Sequence, residues 1–231
     1  MSSRLHALVI DALDPGEVAA FWGGLLGQPI DDDAGRPSVL PDNPAGFRLA
    51  FERTDAPRSA PNRIHLHLTS DAPGQQQETV ERALALGGRH LDVGQLPEED
   101  HVVLADPEEN ALCVIEAGNN FLAGTGFLGE LACDGTRALG LFWADALGWP
   151  LVWDENEETA IQAPTGGTKV AWGGPPLTPR VEADRVRFEL VAEADRAAEA
   201  ARLEALGATI LDEDADGTRL ADPDGNPFRL R

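Results

Sequence analysis

The chain has 231 residues, 42% hydrophobic and 25% charged, with 18 basic against 40 acidic side chains and a formal net charge of −22. That charge repels phosphate backbones and anionic lipid, which excludes nucleic-acid and membrane-surface roles and leaves a neutral or cationic small molecule as the expected partner. The sequence has no apolar leader or membrane-spanning stretch, and Cys113 and Cys133 do not make a disulfide framework. A cytoplasmic monomer or homodimer is therefore expected, with the acidity also serving solubility.

In chain order, the first predicted element is a strand over residues 5–11, with Leu8 and Ile10 on one face and Ala7, Val9 and Asp11 on the other. Asp14-Pro15 then opens a helix as N-cap and first-turn proline. Val18, Phe21, Trp22 and Leu25 form its apolar stripe and Gly27 ends it. Strands follow near residues 39–40 and over 47–53, where Phe47, Leu49 and Phe51 alternate with Arg48, Ala50 and Glu52. A strand over residues 63–69 places Ile64, Leu66 and Leu68 opposite His65, His67 and Thr69. A helix from about Gln75 to Gly87 comes next, then strands over 101–105 and 111–116 joined by an Asp106-Pro107 turn. Residues 117–120 are small and polar, as a domain boundary should be. Beyond them come a strand at 129–132, a helix over 137–147, and strands at 159–162 and 169–172. A strand over 185–191, a helix over 195–206 and paired strands within 218–230 complete the chain.

The second half repeats the first. Phe21-Trp22-Gly23-Gly24-Leu25-Leu26-Gly27 returns as Phe142-Trp143-Ala144-Asp145-Ala146-Leu147-Gly148, an offset of 142 − 21 = 121. The Ala-Leu-Gly that closes the second helix also returns, as does Asp106-Pro107-Glu108-Glu109-Asn110 in the form Asp222-Pro223-Asp224-Gly225-Asn226. Three blocks in the same order mean a tandem duplication. Residues 1–117 and 121–231 are thus two units of about 115 residues, each large enough to bury a core. Within each unit, both halves read β-α-β-β-β, and the class is α+β.

With these blocks the whole chain resembles the vicinal-oxygen-chelate superfamily, the glyoxalase, bleomycin-resistance and extradiol-dioxygenase group. The resemblance implies two tandem domains in which βαβββ units pair edge to edge, their mixed sheets curling into cups that hold a metal or ligand. It does not imply one reaction, because the family spans enzymes and pure binders.

The resemblance also implies where metal ligands would sit: on the first strand, on the strand opening the second half, and on the last strand. In unit 1 these places fall on Ala7 (with His6 adjacent but facing away), on His65, and on Cys113, where family enzymes commonly carry glutamate. Cys113 lies four residues beyond Glu109, which occupies the hairpin glycine position. In unit 2 they fall on Leu128 or a neighbour, Arg187 and Arg229, and two guanidinium groups do not ligate a metal. Unit 2 is expected to be metal-free. Unit 1 holds all five histidines, His6, His65, His67, His90 and His101. His65-Leu66-His67 places two imidazoles on one strand face, a spacing that chelates zinc, and Cys113 can add a thiolate. A buried cysteine is also an ordinary small core residue.

Other candidates have a structural reading beside a functional one. Asp11, on the cup-facing parity, is a base, an acceptor for a cationic ligand, or a turn residue. Glu130 and Glu189 share the parity of Arg187, for a structural ion pair or a polar ligand. Trp149, Trp153 and Trp172 offer a flat wall or core packing, Phe51 matching Trp172, while Trp22 and Trp143 are core. Gly166-Gly167 and Gly173-Gly174 precede no helix and read as turns.

The leading expectation is a glyoxalase-like small-molecule-binding protein without the full family metal site and with no cofactor. Asp11, His65, His67, Cys113, Arg187, Glu189 and Arg229 are its expected ligand-facing residues. The alternative is a metal-dependent lyase, isomerase or dioxygenase with a divalent metal (zinc, iron or manganese) on His65, His67 and Cys113 of unit 1. A third reading is a structural or regulatory pair of cups with no surviving ligand.

Overall fold

The computed structural model describes residues 3–33, 35–43, 46–58, 60–96, 98–179 and 184–231; Met1 and Ser2 fall outside them. Four modules share one order. The first contains β1 (Ser3–Ala12), α1 (Pro15–Leu26), β2 (Ile30–Asp33), β3 (Arg36–Val39) and β4 (Arg48–Arg53). The second contains β5 (Ile64–Ser70), α2 (Gln75–Ala85), β6 (Arg89–His90), β7 (Val102–Ala105) and β8 (Ala111–Ala117). The third contains β9 (Leu128–Cys133), α3 (Arg137–Leu147), β10 (Leu151–Glu155), β11 (Glu158–Gln162) and β12 (Lys169–Trp172). The fourth contains β13 (Val186–Ala192), α4 (Arg196–Leu206), β14 (Thr209–Asp214), β15 (Gly217–Ala221) and β16 (Pro227–Leu230). No described helix is long and apolar enough to cross a membrane.

Helix boundaries follow the capping residues. The Asp14 carboxylate accepts from the Glu17 amide at 3.0 Å, and Gly27 ends α1 with φ 67°, where a side chain would be strained. Thr136 and Gly148 do the same for α3. The sequence pattern did not anticipate β2, β6, β10 and β14, and these are the four outer edges of the two sheets. All five residues of β10 and both of β6 are exposed, so no in–out alternation marks them.

The repeated motifs are joined by hydrogen bonds. The Trp22 indole donates to Asp106 at 3.0 Å and that of Trp143 to Asp222 at 3.4 Å, tying the Phe-Trp helix of each unit to its closing hairpin. Asn110 and Asn226 donate to the same aspartates, so these buried carboxylates are satisfied. Glu108 accepts from the Leu13 and Asp14 amides before α1, and Asp224 from the Thr136 amide and hydroxyl before α3. Glu109 adopts φ 69° where Gly225 has 81°, confirming it as the hairpin's left-handed position.

The sheets do not follow the two sequence units. One runs β14-β15-β16-β13-β1-β4-β3-β2 and the other β10-β11-β12-β9-β5-β8-β7-β6. The first module therefore pairs with the fourth, through antiparallel β1 and β13, and the second with the third, through antiparallel β5 and β9. The expectation of one cup per unit is corrected: each sheet takes one module from each unit. A single apolar core spans all four modules, from Leu8 and Trp22 through Leu66 and Leu112 to Trp143, Trp172, Phe188 and Leu230. Helices pack against one face of each sheet, and the opposite faces form the cups.

Candidate functional site

The β1/β13 cup has a floor of small residues, Ala7, Val9 and Ala50, none more than 1% exposed. Charged side chains cross above it. Arg187 pairs with Asp11 at 2.7 Å and with Glu52. Arg36 pairs with Glu52 at 3.2 Å and Glu189 at 2.9 Å, and Arg231 reaches the same Glu189 at 2.9 Å. Burial lowers the proton affinity of Arg187, but the charges of Glu52 and Asp11 outweigh it, so the guanidinium stays charged. Each partner neutralises another, and the cup is closed by its own residues.

The β5/β9 cup is open. It holds a cavity of about 940 Å³ whose lining includes His65, Glu130, Ala132, Trp153, Lys169 and Gly173. Beneath the cavity, strand register sets His67 opposite both Glu130 and Cys113, and Lys169 beside Glu130. His67 Nδ1 lies 2.6 Å from Glu130 Oε2, and His67 Nε2 lies 2.9 Å from His65 Nε2. Burial pulls the His67 imidazole down, yet hydrogen bonds with Cys113 and Glu130 and the Glu130 charge raise it to about 9. Burial and the neighbouring His67 charge push His65 down to about 4. At neutral pH His67 is thus an imidazolium donating to Glu130 on one side and to neutral His65 on the other. The segment between the units roofs this floor: Leu122 joins Cys113, Val103 and Ile115 in one apolar cluster, and Phe121 meets Trp153 edge-on with centroids 5.9 Å apart.

The metal reading can be tested on these donors. His65, His67 and Cys113 bring two imidazoles and a sulfur within 4.8 Å of one another, a set that suits zinc in kind. Glu130 on His67 Nδ1 resembles the carboxylate that orients a ligating histidine. The spacing is that of a hydrogen bond, however: a tetrahedral zinc would hold two imidazole nitrogens about 3.3 Å apart.

The structure thus divides the sequence-derived candidates. It gathers His65, His67 and Cys113 in the open cup and places Asp11, Arg187 and Glu189 in the ion pairs of the closed one. Arg229, on the β13/β16 side of the closed cup, binds Asp214 at 2.8 Å. The suggested grouping of Glu130 with Arg187 is corrected, because the two belong to different sheets and Glu130 serves His67. Ala7 likewise lies in the other sheet from His65 and Cys113. Trp153 lines the cavity and Trp149 a smaller cleft of about 90 Å³ near the end of α1, while Trp172 is 1% exposed and belongs to the core. Lys169 and Phe121 escaped the sequence reading, since neither belongs to a repeated motif.

Two eight-stranded mixed sheets, each curled from two βαβββ modules and carrying polar residues on its concave face, define a vicinal-oxygen-chelate protein. The family described as "Glyoxalase-like domain" matches residues 7–115 and 130–231, and the chain belongs to that family. Glyoxalase I from Zea mays superposes with a TM-score of 0.67 at 16% identity, over 99% of this chain and 92% of that one. A protein from Bacillus subtilis subsp. subtilis str. 168, provisionally named a dioxygenase, gives 0.64 at 13% identity, over 99% and 85%. A glyoxalase-related enzyme from Fulvimarina pelagi covers 48% of this chain and 86% of its own, at 20% identity and a TM-score of 0.40. Among curated proteins no match is found. At these identities the first two speak for the fold alone.

Proposed function

We propose that this is a small-molecule-binding member of the glyoxalase-like family whose ligand occupies the β5/β9 cup. The observation that carries the reading is the 940 Å³ cavity over His65 and Glu130, set against a sister cup filled by its own ion pairs. A cavity of that size, mostly apolar with a few convergent polar groups, suits a ligand with an extended apolar body. In this reading units 1–117 and 121–231 each contribute one module to the site. The test is a thermal-shift screen of aromatic, ionic and thiol-conjugate compounds. A specific ligand raises the melting temperature by mass action, and the rise should vanish when Trp153 is replaced by glycine. A ligand whose effect survives that change binds elsewhere.

A metal-assisted enzyme is the second reading, favoured by the convergence of His65, His67 and Cys113. These three residues would hold the ion, which would supply Lewis-acid polarisation of a ligand oxygen. Elemental analysis of the purified protein separates the readings. Less than a tenth of an equivalent of zinc, iron or manganese per chain is expected. About one equivalent, lost in His65→Ala, would transfer the proposal to the enzyme.

A further inference from the structure

Lys169 is the only lysine in a chain with 18 basic residues, and it lines the open cavity. Its ammonium group donates to the Phe121 carbonyl and lies 4.3 Å from the centre of the Phe121 ring. Both partners are neutral, and Lys169 makes no ion pair among the described residues. The acids around it are otherwise engaged or hydrated. Glu130 is held by His67 at 2.6 Å. Asp134 accepts from the Thr178 amide at 2.8 Å and faces Arg63 at 3.6 Å. Glu158 is exposed on its strand.

A part-buried cation without a counter-ion carries an unrecovered desolvation cost, which an anionic oxygen placed beside it would offset. Burial accordingly weakens the hold of Lys169 on its proton, although the charge of Glu130 opposes this. Next to the ammonium stand Phe121 and the exposed face of Trp153, a wall suited to a flat ring. The closed cup has a cation at the same place, Arg48 beside Ala7 as Lys169 is beside Glu130, but its concave face is filled by paired side chains.

We infer that Lys169 is the ligand-selecting residue of the open cup and that the ligand is an aromatic acid. Its carboxylate or phenolate oxygen would take the ammonium from the Phe121 carbonyl while its ring lies against Trp153. This rests on the proposal that the cup binds a small molecule. It also sets a short-range attraction against the net charge of −22, so selectivity for an anion must come from Lys169 and not from the field of the whole protein.

The test is calorimetric titration of the whole chain with 2-naphthoate, 2-naphthamide and 2-naphthylmethylamine, three probes with one ring system and different charge. Naphthoate should bind at least tenfold more tightly than the amine, with the amide between. Lys169→Met should abolish that order and Lys169→Arg restore it, both variants melting within a few degrees of wild type. Equal affinities, a preference for the amine, or an unchanged order in Lys169→Met would overturn the inference. The cup would remain a binding site if the Trp153→Gly variant still lost the probes. Binding of none of the three also overturns it, leaving the broader screen to decide whether the cup binds anything.

Discussion

The two cups share a backbone and differ in what a few equivalent positions carry. Arg187 of the closed cup corresponds in register to His65 of the open one, Glu52 to Gly173, and Ala7 to Glu130. In one cup, long cations meet carboxylates over an alanine and valine floor and the charges are spent on each other. In the other, shorter imidazoles and a glycine leave room, and a lysine stays uncompensated. The difference teaches that this scaffold opens or closes a site by exchanging side chains on the concave face, without moving a strand.

The comparison breaks most visibly if the closure can be transplanted. A Cβ at Gly173 meets nothing within 4 Å, so Gly173→Glu is sterically accommodated. Combined with His65→Arg it would rebuild the Arg187–Glu52 pair in the open cup. Ligand-induced stabilisation should disappear while the circular dichroism spectrum is kept, and a double variant that still binds would show that volume is not what separates the cups.

The reverse experiment is Arg187→Met in the closed cup. It strands Asp11 and leaves Glu52 to Arg36 alone on a half-buried surface, and the cost should be roughly 2 kcal/mol, between the values for buried and exposed pairs. Urea titration measures it. A neutral result would mean that the network occupies the cup without holding it together.

The cups also separate by pH. A folded-state value of about 9 for His67, against an ordinary 6.5, gives stability that is present below 6.5 and lost as pH climbs through 9. The melting temperature of wild type should therefore fall relative to His67→Gln between pH 6.5 and 9. Parallel curves over that range would sink the imidazolium assignment.

Much of the scaffold was legible in the sequence because periodicity and caps report local forces. Asp14 and Gly27 marked α1, and the alternation of His65 and His67 with Leu66 and Leu68 marked β5 and its two faces. The four edge strands were not legible, since a strand exposed on both sides has no apolar alternation to read. The pairing of modules was hidden for a different reason. β1 and β5 each turn an apolar face of leucine and isoleucine to the core, and nothing local says which edge each will meet. For the site this mattered: the sequence grouped His65, His67 and Cys113, but the partner Glu130 sits in the other unit and is brought to His67 only by the β5–β9 register. Lys169 carried a signal in its rarity that motif comparison cannot register.

The crossing of modules between sheets has a consequence for how such a chain changes over generations. Each repeat contributes half of the open cup and half of the closed one, so neither copy is a spare that can drift freely. A substitution that suits a new ligand from one repeat must be matched from the other. Splitting the gene at the junction would yield not one active and one idle protein but two fragments, each with the unmated strands of both.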